Sequence, residues 1–210
     1  MRAGAGHYEA DALNPSPPQV IVFGGPNGAG KSTVAPAIID RVFGRVEFVN
    51  ADAIAAGLSA LDPDRQAFAA GRVMLRHLAE LAAARRSFAF ETTLSSRTFG
   101  PALRRMAGDG YHLHLTYVWV RSADVAVERV RARVAAGGHA VPEAVIRRRY
   151  ARSARNLFDL YLPLPSAWAV LENATPDGPV LVAAGAADQP PIVYDPAMWN
   201  RLQELGHAGT

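Results

Sequence analysis

Short apolar segments alternate with helical patterns along the chain. Runs of apolar, β-branched and aromatic residues are typical of strands buried on both faces of a parallel sheet, and they occupy residues 20–23, 46–49, 87–90 and 113–120, with later candidates at 168–171 and 180–182. Helices are predicted over residues 32–42, 63–86, 101–107, 122–136, 142–160 and from 196 onward, with N-caps at Asp62, Ser122 and Asp195. This alternation predicts an α/β domain with a mainly parallel sheet.

Composition sets the domain organisation that we expect. A chain of 210 residues suits one domain, which we place at 19–210, after a disordered or loosely packed tail at 1–18. The tail lacks the apolar centre of a secretory signal, and no run of 18 apolar residues predicts a membrane span. The absence of cysteine excludes disulfides, thiolate zinc sites and cysteine catalysis. A cytoplasmic location is expected.

A glycine-rich segment follows the first apolar run. Residues 25–32 match the phosphate-loop pattern G-x-x-x-x-G-K-[ST] at every fixed position, in the strand–loop–helix context that it requires. The predicted nucleotide-binding residues are Gly25, Pro26, Asn27, Gly28, Ala29, Gly30, Lys31, Ser32 and Thr33. Lys31 is expected to reach the β and γ phosphates, and the Ser32 hydroxyl to bind Mg²⁺. We therefore expect ATP or GTP, with Mg²⁺, as cofactors.

The lysine of this loop stands out in the composition. The 22 basic residues are 21 arginines and Lys31 alone. A lysine ammonium is a compact charge on a thin stem, whereas a guanidinium is broad and forked. We interpret the one lysine of the chain as a requirement of a narrow site against phosphate oxygens; its chance survival in an arginine-rich composition is the alternative.

Polar residues follow two other predicted strands. Asp52 comes after the strand at 46–49, and Glu91 and Thr93 after the strand at 87–90. Ligands of parallel sheets collect beyond the carboxyl ends of the strands, so these side chains are expected to open on the same crevice as the phosphate loop. Asp52 is interpreted as a general base. The alternatives are that it hydrogen-bonds a ligand of the Mg²⁺ ion without binding the metal itself, or that it is the N-cap of the helix that follows. Glu91 and Thr93 are expected to bind a polyhydroxy or nucleotide acceptor, although Glu91 is equally suited to approach the metal.

The segment from 128 to 155 is rich in arginine. Arg129 and Arg133 are four residues apart and share a helical face, and Gly137-Gly138-His139 is interpreted as the tip of a hinged lid at about 129–155. Lid arginines stabilise the charge that develops during phosphoryl transfer. An RNA-binding surface is the rival interpretation, but few aromatic residues interleave the cluster and the net charge is only +3. Nucleic acid is therefore an unlikely partner.

These motifs together resemble the zeta-toxin family of P-loop kinases. The similar segments are residues 24–33, 48–52, 88–94, 137–139, 141–143 and 147–150. The resemblance implies the three-layer fold of small-molecule kinases, with an arginine-bearing helical lid, and phosphorylation of a UDP-N-acetylamino sugar. It also implies that Asp52 is the general base, that Glu91 and Thr93 hold the sugar, and that Arg133 contacts the γ-phosphate. An antitoxin protein is a possible partner on the same grounds.

Two positions differ from the family pattern. Ser95 stands where the family has a sugar-contacting arginine, and Arg97, two residues later, is the candidate to replace it. His139 aligns near the second lid arginine of the family, and Arg147 is a possible substitute. We therefore predict an ATP-dependent phosphotransferase that acts on a hydroxyl of a small molecule. The alternatives are a kinase of nucleic-acid ends or of nucleotides, and the toxin component of a toxin–antitoxin pair.

Overall fold

The computed structural model describes residues 16–58, 67–138, 140–173, 178–186 and 188–208. Its strands are β1 (Gln19–Gly24), β2 (Glu47–Val49), β3 (Phe88–Thr92), β4 (His112–Trp119), β5 (Ala167–Glu172), β6 (Val180–Gly185) and β7 (Ile192–Val193). Its helices are α1 (Lys31–Ile38), α2 (Ala51–Leu58), α3 (Ala67–Ala83), α4 (Phe99–Gly108), α5 (Ala123–Ala135), α6 (Glu143–Asn156) and α7 (Pro196–His207).

The strands form one sheet in the order β2-β3-β1-β4-β5-β6-β7. The first five strands of this order are parallel, whereas β6 and β7 are antiparallel. The apolar run of β1 lies at the centre, where Val22 is in register with Phe90 of β3 and Leu115 of β4. The prediction of a mainly parallel α/β sheet is confirmed, and the carboxyl ends of five strands meet at one edge.

Alternate residues of β1 enter two different cores, as the two-residue period of a strand requires. Val20 and Val22 join the larger core, which also contains Met74 and Leu78 of α3. Ile21 and Phe23 point to the other face and pack against α1, in a smaller cluster. Helices therefore cover both faces of the sheet, which is the three-layer arrangement expected from the sequence. The predicted tail mostly precedes the described residues, and both domain boundaries remain predictions.

Some helix boundaries differ from those predicted. α3 ends at Ala83 rather than near Arg86 because Arg85 adopts a positive φ of 53° and the Arg86 amide turns back to the Leu81 carbonyl. The predicted cap Asp62 lies outside the described residues, whereas Ser122 and Asp195 accept the capping hydrogen bonds that the sequence predicts. In the part of the chain that the structure describes, no helix combines the length and the apolar character needed to cross a bilayer.

α1 and α6 each continue into a π-helical turn, over Ile39–Phe43 and Leu157–Tyr161. The end of α6 and its π turn hold the loop that follows β3. Asn156 Nδ2 donates a hydrogen bond of 2.8 Å to the Leu94 carbonyl, and the Tyr161 hydroxyl donates one of 2.6 Å to the Ser96 carbonyl. Leu94 is fully buried and has a φ of 53°. The loop after β3 is therefore fixed by contacts distant in sequence.

We predict that Asn156→Ala lowers the free energy of unfolding by about 1–3 kcal/mol, because it leaves the buried Leu94 carbonyl without a donor. Urea denaturation followed by circular dichroism measures this difference. Arg152→Ala, an exposed substitution on the same helix, serves as the control and is expected to change stability by less than about 0.5 kcal/mol. An unchanged urea midpoint for Asn156→Ala would show that the side-chain contact does not stabilise the loop.

Candidate functional site

The phosphate loop joins β1 to α1 and packs tightly against the neighbouring elements. Gly25, Gly28 and Gly30 have φ values of 138°, 78° and 89°, which side chains other than glycine rarely adopt. A Cβ atom at Gly25 would lie 2.0 Å from the Val118 carbonyl oxygen, and one at Gly28 would lie 2.4 Å from the Ala126 carbonyl oxygen. The glycines are therefore required by backbone conformation and by the close approach of β4 and α5.

Asn173, which the sequence interpretation did not include, also supports the loop. Its Nδ2 atom donates a hydrogen bond of 2.8 Å to the Ala29 carbonyl, and its backbone amide donates one of 2.8 Å to the Trp119 carbonyl. A Cβ atom at Gly30 would lie 2.3 Å from the same Nδ2 atom. One feature of the sequence could have identified Asn173: it comes directly after a strand, at the sheet edge where the other polar residues of the site lie.

Lys31 is buried, and its ammonium group donates a hydrogen bond of 3.1 Å to the Pro26 carbonyl. Burial lowers the pKa of Lys31 below its usual value, and the positive charges of Arg133 and Arg149 act in the same direction. The carboxylates of Glu91 and Asp52 oppose this shift. The Lys31 ammonium is therefore a cation that burial has removed from water. A bound anion would replace the favourable interactions with water that it has lost.

Glu91 and Ser32 meet at the foot of the phosphate loop. The Ser32 hydroxyl donates a hydrogen bond of 2.8 Å to Glu91 Oε2, and Glu91 is only 9% exposed at the end of β3. A hydroxyl and a carboxylate are hard oxygen donors of the kind that Mg²⁺ accepts alongside nucleotide phosphates. The pair fits the predicted metal site, because it joins Glu91 to the hydroxyl that the sequence analysis predicted as a metal ligand.

Asp52 lies in the first turn of α2 but does not cap this helix. The Asn50 carboxamide oxygen accepts hydrogen bonds from the backbone amides of Asp52 and Ala53, at 2.7 and 3.3 Å. The interpretation of Asp52 as an N-cap is therefore wrong, because Asn50 occupies that role. The Asp52 carboxylate is exposed and acts electrostatically on both Lys31 and Arg149.

The other predicted acceptor-binding residues lie on the loop after β3. The Thr93 and Ser95 hydroxyls are 2.8 Å apart and share a hydrogen bond. Arg97 is exposed, and its charge opposes the burial that raises the pKa of Tyr161 to about 12. This loop presents two hydroxyls and a cation, and Asn156 and Tyr161 hold it in place.

The arginines of the α5–α6 segment differ in their polar partners and in their exposure. Arg147 binds Asp124 Oδ1 at 2.7 Å and Glu143 Oε1 at 2.8 Å, so carboxylates engage its guanidinium. Arg133 is exposed, and its charge reaches Lys31. Arg129 is half-buried, and the structure records no polar partner for it among the described residues. His139 lies outside the described residues.

Arg149 contacts the phosphate loop directly. Its Nη1 atom donates a hydrogen bond of 3.3 Å to Asn27 Oδ1, across 122 residues of sequence. The sequence analysis predicted a lid over this segment but did not select this residue. Its position within a run of three arginines gave no signal that distinguishes it, because the choice depends on which face α6 turns toward the loop.

Residues 20–155 match the AAA domain family AAA_33. The chain belongs to this family. An uncharacterised protein of Haemophilus influenzae is 27% identical to it over 132 residues, which are 63% of this chain and 92% of that protein. The match to the AAA_33 family includes the phosphate loop, Asp52, Glu91 and α6 as far as Arg155.

Solved structures with the same fold include chains of two-protein complexes and of a toxin–antitoxin system. A chain of the AvrRxo1-ORF1:-ORF2 complex solved with ATP has a TM-score of 0.70 at 15% identity, and the match covers 92% of this chain and 65% of that one. A chain of the PezAT toxin–antitoxin system of Streptococcus pneumoniae has a TM-score of 0.64 at 15% identity, covering 90% of this chain and 78% of that one. This chain spans just under two thirds of the AvrRxo1 chain. The expected P-loop kinase fold, shared with a toxin of the zeta class, is confirmed.

We predict that Lys31→Met raises the free energy of unfolding of the ligand-free protein at neutral pH by about 0.5–2 kcal/mol, as substitutions that relieve functional strain often do. Met keeps the length of the stem and removes the buried charge. Because the pKa of Lys31 is lowered in the folded state, the wild-type protein gains stability as pH rises from that lowered pKa toward 10.5.

The advantage of the variant should accordingly shrink with increasing pH over this window. Chemical denaturation of both proteins at a series of pH values measures it. A variant that is less stable than the wild type at neutral pH would show that the Lys31 charge stabilises the empty site.

Proposed function

We propose that this protein is an ATP-dependent phosphotransferase that moves the γ-phosphoryl group to a hydroxyl of a small molecule. The observation that carries the proposal is the hydrogen bond of 2.8 Å to Glu91 from the Ser32 hydroxyl of the phosphate loop, where Ser32 is next in sequence to the buried Lys31. The carboxylates of Glu91 and Asp52 both act electrostatically on this lysine. Lys31 and Asp52 follow β1 and β2, and Glu91 lies at the end of β3. Together they combine a candidate phosphate-binding cation, a candidate metal ligand and a candidate base. A nucleotide-binding switch needs the first two of these groups, whereas a kinase also needs the third.

The phosphate loop binds the triphosphate in this proposal. Backbone amides of residues 25–30 and the Lys31 ammonium face the β and γ phosphates, with the N-terminus of α1 adding its positive dipole end. Ser32 and Glu91 would hold Mg²⁺, which supplies neutralisation of the phosphate charge when bound. The lowered pKa of Lys31 reflects a desolvated site, in which each charge interaction is stronger than it would be in water.

Asp52 is the proposed general base. Its carboxylate is exposed, and no described residue occupies it with a hydrogen bond. The acceptor hydroxyl oxygen forms a bond to the γ-phosphorus while the bond to the β–γ bridging oxygen breaks, so that ADP leaves with that electron pair. The hydroxyl proton passes to Asp52. Arg133 is proposed to stabilise the charge on the transferring group.

The acceptor is proposed to bind at the loop after β3. Thr93 and Ser95 offer hydroxyls that donate to or accept from sugar hydroxyls, and Arg97 offers an exposed positive charge. This chemistry suits a polyhydroxy molecule that carries an anionic group, and a UDP-N-acetylamino sugar remains the leading candidate. The contact of Glu91 with Ser32 favours a metal-binding role for Glu91 over a sugar-binding one.

Inhibition by a protein partner is a second candidate feature of this protein's function. The PezAT structure, which shares the fold, belongs to a toxin–antitoxin system. We propose that an inhibitor protein binds this chain and covers its nucleotide site. Co-expression with the product of a neighbouring reading frame, followed by size-exclusion chromatography, tests this. Phosphoryl transfer that is unaffected by every such product would count against it.

We predict that Asp52→Asn reduces phosphoryl transfer by roughly 10²–10⁴-fold, the range typical of a lost acid–base group. The affinity for ATP, measured by calorimetry, should change by less than about threefold because the amide keeps the size of the side chain. Asp40→Asn, an exposed substitution on the π turn after α1, is the matched control. Transfer close to the wild-type rate in Asp52→Asn would assign this carboxylate to the metal shell instead.

The acceptor is identified by incubating the protein with γ-labelled ATP and Mg²⁺ in the presence of single acceptors. The panel contains UDP-N-acetylglucosamine, simple sugars and a 5′-hydroxyl oligonucleotide, and chromatography shows which compound carries the label. We expect label on a small hydroxyl compound and none with Lys31→Ala. Label on the oligonucleotide alone would favour a nucleic-acid-end kinase. Equal ATP consumption by Lys31→Ala and wild type would overturn the proposed function.

A further inference from the structure

A cavity of about 860 Å³ lies between α3 and α4, over the sheet face that carries Phe90 of β3. Small side chains on both helices leave this space open, because Ala79, Ala82 and Ala102 line it where larger residues would fill it. Protein interiors otherwise pack as densely as organic crystals. Sites for small molecules have volumes of roughly 300–1,000 Å³, so this space, the α3–α4 cavity, has the size of a ligand site.

The floor of the α3–α4 cavity is apolar and shielded from water. Phe90 is 1% exposed and Leu103 is 5% exposed, and both line the cavity. Phe99, the first residue of α4, packs against Phe90 with the two ring centroids 5.2 Å apart. Apolar cavities of this kind stay dry and accept apolar ligands. The part of a ligand that contacts this floor is therefore hydrocarbon or aromatic.

Two arginines line the α3–α4 cavity at its polar end. Arg85 follows α3, and its Nη1 atom donates a hydrogen bond to the Asp109 carbonyl. Its guanidinium carbon lies 5.4 Å from the centre of the Tyr111 ring, in a cation–π contact. These contacts hold the guanidinium in place but use only part of its five N–H donors. Arg105 of α4 is exposed at the same end of the cavity.

The charges at this end favour an anion. Among the described residues that line the cavity, the charged side chains are Arg85, Arg105 and Asp109, which leaves one positive charge in excess. Arg85 and Arg105 are both exposed, so the preference for an anion is modest and is screened by salt. The cavity thus combines an apolar floor with a weakly cationic end.

The cationic end lies far from the phosphate loop in the topology of the sheet. Arg85 precedes β3, and Asp109 and Tyr111 precede β4, so these three residues lie at the amino edge of the parallel strands. Ser32 and Asp52 follow β1 and β2 and belong to the carboxyl edge. A molecule whose head group is bound at Arg85 therefore occupies a site separate from the candidate nucleotide site.

We propose that the α3–α4 cavity binds a small amphipathic molecule that has an apolar body and one anionic head group. The body packs on Phe90 and Phe99, and the head group accepts hydrogen bonds from Arg85 and Arg105 at the amino edge of the sheet. This site uses no residue of the phosphate loop, so the inference does not depend on the proposed function.

Calorimetric titration of the full chain with three ten-carbon compounds tests the proposal. We expect one decanoate to bind per chain, with decanol binding roughly 3–10-fold more weakly, the range of an exposed ion pair. Decyltrimethylammonium should bind most weakly, because its charge is repelled by the arginines. In about 1 M salt, where charges are screened beyond about 3 Å, decanoate and decanol should bind equally.

Variants separate the two parts of the cavity. Ala102→Trp fills the apolar space and should abolish binding of decanoate and decanol alike. Arg105→Glu should lower the affinity for decanoate at least to that for decanol, while the affinity for decanol stays unchanged. Arg104→Glu is the matched control, because Arg104 is exposed on the same helix and does not line the cavity. Thermal unfolding confirms that each variant is folded.

Several outcomes would overturn the proposal. Displacement of decanoate by ATP with Mg²⁺, or its loss in Lys31→Ala, would place the compound in the nucleotide site. Equal losses of decanoate binding in Arg105→Glu and Arg104→Glu would indicate general surface charge. No binding, together with a dimer in size-exclusion chromatography that Ala102→Trp dissociates, would assign the cavity to a second copy of the chain. Failure to transfer phosphate would leave these titrations unchanged, so the proposed function fails or stands separately.

Discussion

The close packing of the phosphate loop against β4, α5 and the end of β5 is the constraint on which the rest of the site depends. The loop backbone approaches the Val118 and Ala126 carbonyls so closely that no Cβ fits at Gly25 or Gly28. Asn173 holds the Ala29 carbonyl from the other side. A loop held in this way keeps its amides oriented before any ligand arrives, which lowers the entropic cost of binding a phosphate chain.

The sheet supplies the framework for this packing. β1 is central and buried on both faces, so the loop that leaves its carboxyl end is flanked by strands on both sides. Because five strands run parallel, residues at or just after the carboxyl ends of β1, β2, β3 and β5 lie at one edge of the sheet. Glu91 therefore hydrogen-bonds Ser32 there, and the charge of Asp52 acts on Lys31. The topology thus assembles groups from four separate segments.

α6 connects two loops at the carboxyl edge of the sheet. Its middle contacts the phosphate loop through Arg149, and its end holds the loop after β3 through Asn156. One rigid helix therefore spans the two halves of the candidate site. Such a connection makes the distance between the phosphate loop and the loop after β3 a property of packing, and the proposed phosphoryl transfer would require a fixed distance for in-line approach.

The sequence by itself determined the parallel α/β architecture, the phosphate loop and the strand-end positions of Asp52 and Glu91. These follow from local rules: apolar runs, glycine spacing and the point at which a strand stops. The sequence did not determine that Asn50 caps α2 instead of Asp52, a choice between neighbouring side chains that the backbone path decides.

The tertiary structure alone decided the contacts that complete the site. Ser32 meets Glu91 across 59 residues, Arg149 meets Asn27 across 122, and Asn173 meets Ala29 across 144. Each pair depends on how whole elements pack, and not on the spacing of residues within one segment. The sequence contains eight arginines between residues 128 and 155, but only the rotation of α6 about its axis distinguishes Arg149 from Arg147.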